Sequence, residues 1–237
     1  MSSRRRLFAA LGTAALTAAY IGWVSGTDGP HFLSSPPAAF AAQFDAPPAA
    51  DAPATRVELD ELLAIQAART AEQVTAARAD RKTRVDQFYG ALGLGADPPA
   101  LPQVERLAER VEDDVRIYVR AAKQRYRRLR PYEIEPRIEP CIDDVRGDQS
   151  FPSGHAAFAW SMAYLLSELV PERRAELETR AGEFARQRMM CGVHFRSDLE
   201  AGRNAARRLL AEMNRDPGFR AEKTAAAVEL RAALGLK

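Results

Sequence analysis

Histidine and cysteine are scarce in this 237-residue sequence, with 3 and 2 respectively. Any chemistry that needs an imidazole therefore has few candidates. With no H-E-x-x-H helix and no cysteine knuckle, two histidines and scattered acids do not build a zinc site. No apolar run beyond the first two dozen residues is long enough to span a bilayer, which excludes a polytopic membrane protein. Net charge is also nearly absent, with 34 Lys and Arg against 32 Asp and Glu. Three of the positive charges are Arg4, Arg5 and Arg6, so the body is close to neutral, which argues against a dedicated nucleic-acid binder. No period-2 run reads as a strand, and no internal repeat is visible.

What is present is an ordinary globular composition, 46% hydrophobic and 28% charged. The length allows one domain or two small ones. Residues 1–26 read as an address. Arg4–Arg6 form a positive n-region, and Leu7 to Val24 is apolar, Ala-rich and uncharged. This is the secretory signal pattern, loosely of the twin-arginine kind, with Val24–Gly26 or Ala39–Ala41 as cleavage points. An uncleaved anchor helix is the other reading, and both place the body outside the cytoplasm, periplasmic or secreted. In that compartment Cys141 and Cys191 are an even pair and are expected to form a disulfide. Two separate buried thiols are the alternative.

Residues 27–54 carry six prolines among many alanines and form a linker, or an arm lying on the domain. Residues 55–237 read as a single all-α, bundle-like domain. Thr55 and Glu58 have the spacing of a capping box and predict a helix start, and Thr70 with Gln73 repeats the pattern for a helix running toward Leu92. Apolar spacing from Val104 to Ala122 predicts a long amphipathic helix that ends before Pro131. Residues 131–152 look loop-like. Helices follow at about His155–Leu169, Arg173–Met190, His194–Met213 and 221–234.

Three short motifs carry chemistry. Lys123 and Arg130 are seven apart, two turns of helix, so they can point the same way, a point charge beside a planar fork that matches phosphate oxygens. Read blandly, the basic run from Lys123 to Arg130 is a solvated helix end. Ser153-Gly154-His155 precedes an apolar helix, whose N-terminal N–H groups make a ready anion site, with Gly154 permitting close approach. Plain helix capping would need the same residues, and a Ser-His hydrolase is disfavoured because no G-x-S-x-G elbow is present. In the third motif Arg188 precedes His194, and Asp198 lies four residues further on, neighbours on a helix. A carboxylate on one imidazole nitrogen fixes the tautomer and leaves the other nitrogen free. A surface His–Asp pair is the ordinary alternative.

Taken in order, K-x6-R-P, P-S-G-H and R-x5-H-x3-D resemble the signature of the type 2 phosphatidic acid phosphatase superfamily, and most of all the class A bacterial non-specific acid phosphatases. The likeness covers roughly residues 104–205. It implies an all-α, exported, metal-independent phosphomonoesterase with no cofactor, acting on small phosphate esters. By that resemblance His194 is the nucleophile that forms a phosphohistidine, Asp198 orients it, and His155 protonates the leaving group. Lys123, Arg130, Ser153, Gly154 and Arg188 hold the phosphoryl oxygens. One position departs: Gln187 stands where the family usually has serine. The vanadium haloperoxidases share this site, with vanadate in place of phosphate, so they form the alternative, together with a lipid or pyrophosphate phosphatase of the same superfamily. A non-enzymatic helical binding protein is a further reading. Partners beyond the substrate are a membrane, through an uncleaved N-terminus only, and a second copy in a homo-oligomer; nucleic acid is not expected.

Overall fold

The computed structural model describes residues 29–142 and 149–236, and among these every regular element is helical. The signal or anchor segment lies outside the described residues. Ten α-helices follow in chain order: α1 (Pro37–Ala41), α2 (Pro53–Ala68), α3 (Ala71–Ala79), α4 (Tyr89–Leu92), α5 (Pro102–Tyr126), α6 (Pro131–Ile134), α7 (Gly154–Leu169), α8 (Arg174–Met190), α9 (Arg196–Met213) and α10 (Pro217–Ala233). No helix among the described residues is long and apolar enough to cross a membrane.

The bundle is built around α7. Its sequence is apolar on nearly every face, from Ala156 through Trp160 and Met162 to Leu169, and a helix of that kind must be enclosed. It packs against α8, α9 and α5. Small residues set the closest approach. At Gly202 of α9 an added Cβ would lie 2.6 Å from the Ser153 carbonyl oxygen and 2.9 Å from the Ala156 Cβ. The α9 backbone thus crosses directly over the start of α7, and the Ser153 N–H donates to the Asp198 carbonyl at 2.9 Å. The second and third motifs are joined there, main chain to main chain.

The long helix α5 buries Val104, Leu107, Val111, Val115, Tyr118, Val119 and Ala122 at three- and four-residue spacing. Polar groups at Asp114, Tyr118 and Tyr126, one and then about two turns apart, face the chain before α2. Asp114 accepts from the His31 and Phe32 N–H groups at 2.6 and 2.9 Å. Tyr118 donates to the Ser35 carbonyl, and Tyr126 to that of Phe44 at 2.6 Å. Residues 29–44 therefore lie on the helical body, with Phe32, Leu33 and Phe40 in its core. That segment is not extended throughout, since Pro37 opens the short helix α1.

Several boundaries differ from the sequence expectation. Thr55 does not cap α2; Pro53 takes the first helical position and Ala52 the cap, while the Thr55 hydroxyl donates to the Ala49 carbonyl at 2.7 Å. The Thr70–Gln73 capping box is present. The helix it opens stops at Ala79, however, and the chain reaches Leu92 through a 3₁₀ turn at Val85–Phe88 and the short α4. The last helix begins earlier than 221, where Asp216 caps it ahead of Pro217.

Replacing Gly202 by alanine should lower stability by about 1–3 kcal/mol, because the atoms it meets include backbone that cannot yield cheaply. Thermal melting of the G202A variant checks this; an unchanged melting temperature would refute the close crossing.

Candidate active site

His194 and Asp198 meet, but not as neighbours along a helix. Phe195 is the N-cap of α9, so His194 lies outside the helix and Asp198 in its first turn. The Asp198 carboxylate reaches back as an N-terminal cap, taking the Phe195 N–H at 3.0 Å, and its Oδ2 lies 3.3 Å from His194 Nδ1. Ser150 donates to the same oxygen at 2.5 Å, and Arg128 to Oδ1 at 2.6 Å. Burial alone would raise the Asp198 pKa. The His194 hydrogen bond, the Arg128 charge and Ser150 outweigh it and hold the carboxyl well below the usual carboxylate range.

An ionised carboxylate can only accept, so His194 Nδ1 carries the hydrogen. On the other side of the ring, Arg130 Nη1 lies 3.1 Å from Nε2, and a guanidinium can only donate. Both partners impose the same tautomer, with the Nε2 lone pair facing Arg130. His194 is 3% exposed, and burial together with Arg130 pushes its pKa well below the ordinary histidine value. With hydrogen on Nδ1 and a donor at Nε2, the geometry fits the neutral imidazole.

Lys123 and Arg130 do converge, though not by helical phase. α5 ends at Tyr126, Arg127 turns the chain in the left-handed region at φ 44°, and Arg130 becomes the N-cap of α6. The two meet through the Gln149 carbonyl, which accepts from Lys123 Nζ and from Arg130 Nη2 at 3.2 Å. Arg188 comes from the last turn of α8. Its Nε and Nη1 are buried without a hydrogen-bond partner among the described residues. Buried, unpaired guanidinium nitrogens are costly unless an anion completes them. Burial and then Arg130 push Lys123 down to about 7, and burial and Arg130 push Arg188 down to about 10.

Ser153 caps α7, its hydroxyl accepting from the Ala156 N–H at 3.3 Å, and Gly154 opens the helix. His155 follows, its ring stacked on Phe184 with centroids 5.9 Å apart, and its Nε2 lies 3.0 Å from the Arg81 carbonyl oxygen. Desolvation, then Arg188, push its pKa down to about 3, against the opposing pull of the Arg81 carbonyl. Beside Lys123 and Gly154 a cavity of about 200 Å³ runs along α5 over Val115, Val119 and Phe158. No group of three or more His, Cys, Asp or Glu side chains that could hold a metal occurs among the described residues.

Cys141 and Cys191 form a disulfide, and the Cys141 N–H donates to the Cys191 carbonyl at 3.3 Å. The bridge ties the chain after α6 to the turn between Arg188 and His194. Closing its 50-residue separation stabilises the fold by about 4 kcal/mol in the chain-entropy model. Gln187, at the family's serine position, has a buried Oε1 with no hydrogen-bond partner among the described residues.

A family model for the PAP2 superfamily matches residues 115–217. The chain is 30% identical over 181 residues to a non-specific acid phosphatase of Salmonella typhi, covering 73% of this chain and 72% of that protein. It belongs to the PAP2 superfamily. A non-specific acid phosphatase of Providencia stuartii is 31% identical over 137 residues, and an acid phosphatase of Zymomonas mobilis 33% over 147, each match spanning 55% of the relative's length. In fold the chain resembles the transmembrane PAP2-type phosphatidylglycerolphosphate phosphatase of Bacillus subtilis, with TM-score 0.50 and 19% identity, covering 74% of this chain and 89% of that one.

Two members of this PAP2 site were missed by sequence reasoning. Arg128 lay inside the basic run but was not separated from it, and Glu58 was assigned to a helix cap. Arg128 bridges Asp198 and Glu58, at 2.6 and 3.0 Å, and stacks on Phe195 at 3.9 Å. Glu58 in turn takes the Ser197 N–H and hydroxyl at 2.7 and 2.9 Å, so it caps α9 from α2. Truncating Arg128 to methionine leaves two buried carboxylates with one cation fewer and should cost about 3–5 kcal/mol. Urea unfolding of R128M is the measurement; a loss below 1 kcal/mol would show the network to be dispensable.

Proposed function

We propose that the chain is an exported acid phosphatase that hydrolyses small phosphate monoesters through a phosphohistidine. One observation carries this reading: an imidazole held in one tautomer by Asp198 turns its other nitrogen to Arg130, which shares the Gln149 carbonyl with Lys123 and acts on Arg188, a buried guanidinium with two nitrogens that lack partners. Phosphoryl transfer is catalysed chiefly by positioning and by charge placed around the transferring group, and this arrangement supplies both. The acid phosphatase names of the relatives favour the phosphatase over the vanadate-dependent haloperoxidase.

The steps follow from the residues. Lys123, Arg130, Arg188 and the α7 N-terminus at Ser153 and Gly154 hold the phosphoryl oxygens. The Nε2 lone pair of His194 bonds to phosphorus as the ester P–O bond breaks, and the bonding pair leaves with the alcohol oxygen. Asp198 steadies the positive charge that develops on the ring. His155 donates a proton to the departing oxygen. Water then attacks the phosphohistidine, His155 takes its proton, and inorganic phosphate is released. Desolvation first, and then the charges of Arg188, Lys123 and Arg130, lower the proton affinity of His155. A bound phosphoryl group offsets those charges, so the imidazole gains its proton together with the substrate. The cavity along α5 has room for the leaving alcohol.

The same reading puts export at the N-terminal segment. Cleavage after Ala41 would strip Phe32, Leu33 and Phe40 from the core, so of the two cleavage points the burial of residues 29–44 supports the one near Gly26.

Residues 27–237 should hydrolyse p-nitrophenyl phosphate in the presence of EDTA and be inhibited by vanadate, and His194→Ala should lower kcat/KM by roughly three orders of magnitude or more. Full activity in the His194→Ala variant would refute the nucleophile, and peroxide-dependent bromination with added vanadate in its place would establish the haloperoxidase. The charge state of Lys123 gives a pH test. Its pKa of about 7 means that it is charged below pH 7 and loses its charge above. Arginine at that position stays charged, so the ratio of kcat/KM for Lys123→Arg to wild type should rise as pH goes from 6 to 8.5, even though the variant is slower at its optimum. A flat ratio would mean that Lys123 does not govern the alkaline limb.

A further inference from the structure

His155 has a second contact that the reaction as described does not use. Its Nε2 lies 3.0 Å from the Arg81 carbonyl oxygen. A carbonyl can only accept, so Nε2 keeps its hydrogen and Nδ1 is the nitrogen left for the proton that moves. Asp80, the residue before Arg81, belongs to a closed ring of contacts with Arg180 and Gln87. Asp80, 6% exposed, takes Arg180 Nη1 and Nη2 at 2.8 and 2.7 Å. Gln87 Nε2 donates to Asp80 at 3.0 Å, and Arg180 Nε donates to the Gln87 carbonyl at 3.0 Å. The Arg180 guanidinium also lies over the Phe184 ring, at 5.3 Å, the ring on which His155 stacks. The ion pair therefore touches both supports of the imidazole: the residue next to the accepting carbonyl and the aromatic ring beneath. Bidentate Arg–carboxylate pairs fix geometry as well as charge, and beyond the end of α3 at Ala79 the Arg81 residue is held by its own N–H on the Arg78 carbonyl, at 3.3 Å, and by the anchoring of Asp80 beside it.

We infer that the Asp80–Arg180 ion pair is a positioning device for His155: it fixes the Arg81 carbonyl that binds Nε2–H, and so aims Nδ1–H at the leaving oxygen. The inference rests on His155 being the general acid proposed above. As the P–O bond breaks and its electron pair passes to the alcohol oxygen, the Nδ1 proton moves to that oxygen, and the ring returns to the neutral Nε2–H tautomer that the carbonyl prefers. Neither Asp80 nor Arg180 touches the substrate.

The test is leaving-group dependence in the full enzyme. Values of kcat/KM are measured for p-nitrophenyl phosphate, phenyl phosphate and an alkyl phosphate, with wild type, Asp80→Asn, Arg180→Lys and His155→Ala. p-Nitrophenolate departs with little help from an acid, whereas an alkoxide needs the proton. His155→Ala should lose roughly a hundredfold or more with the alkyl ester and far less with the nitrophenyl ester. Asp80→Asn should show the same slope in milder form, about threefold or less against about tenfold or more. Should Asp80→Asn fail to fold, Arg180→Lys, which keeps the charge and loses the bidentate fork, is read by the same criterion. Equal losses across the series in the folded variant, beside a steep series for His155→Ala, would overturn the positioning role and leave a structural ion pair. A flat series for His155→Ala itself would instead remove His155 as the acid, and the inference with it.

Discussion

The structure hangs on one carboxylate. Asp198 is fully buried, and an ion removed from water costs several kcal/mol even after the protein relaxes around it. It survives as a carboxylate because four donors converge on it from separate parts of the chain: Arg128 beyond the end of α5, Ser150 before α7, the Phe195 N–H at the start of α9, and His194. None of these can be omitted without leaving charge exposed to a low-dielectric interior. Satisfying Asp198 thus requires that the three motifs come together, and the same bonds that make its burial tolerable dictate which nitrogen of His194 bears the hydrogen. Folding and the setting of the His194 tautomer are one event here.

The cations have the opposite character. Arg130 and Lys123 lie on the far side of His194, and Arg188 lies close enough to Arg130 to feel its charge; the acids that face this group, Asp198 and Asp80, are already matched by Arg128 and Arg180. Burial lowers the pKa of all three, and the Arg130 charge lowers those of Lys123 and Arg188 further, so like charges are crowded together here. Such an arrangement is retained only where something negative relieves it, which is why clustered, strongly shifted groups mark functional sites. The disulfide between Cys141 and Cys191 and the glycine crossing at Gly202 act on the same problem mechanically, by holding the loops that carry the charges.

Much of this was legible in the sequence, though partly for the wrong geometric reason. The helical class, the long α5 and the buried α7 follow from periodicity and from the run of apolar residues. Lys123 with Arg130, and His194 with Asp198, were paired by helical spacing; both pairs form, yet each straddles a helix end, and it is the turn at Arg127 and the cap at Phe195 that bring them together. Arg128 and Glu58 were hidden because each had an adequate local explanation, a basic helix terminus and a capping box. Their contact spans 70 residues and leaves no periodic trace. Gly202 likewise looks like a weak point in a helix until the backbone it crosses is known. Local patterns report local forces, and a buried charge network is set by distant partners.

The two histidines are held in contrasting ways, and the contrast matches the roles proposed for them. A nucleophile must stay neutral in one tautomer until phosphorus arrives, so a buried, fully bonded His194 between a carboxylate and a guanidinium suits it. An acid must gain and lose a proton in every turnover, so it cannot be locked by a fixed countercharge. His155 accordingly contacts a neutral main-chain carbonyl and an aromatic face, which orient the ring without committing its charge. On the proposed reading its protonation is left to the substrate's phosphoryl group, and its orientation to Arg81 and Phe184. A carboxylate in place of the Arg81 carbonyl would hold the ring more firmly but would keep it charged, and the proton would be harder to deliver.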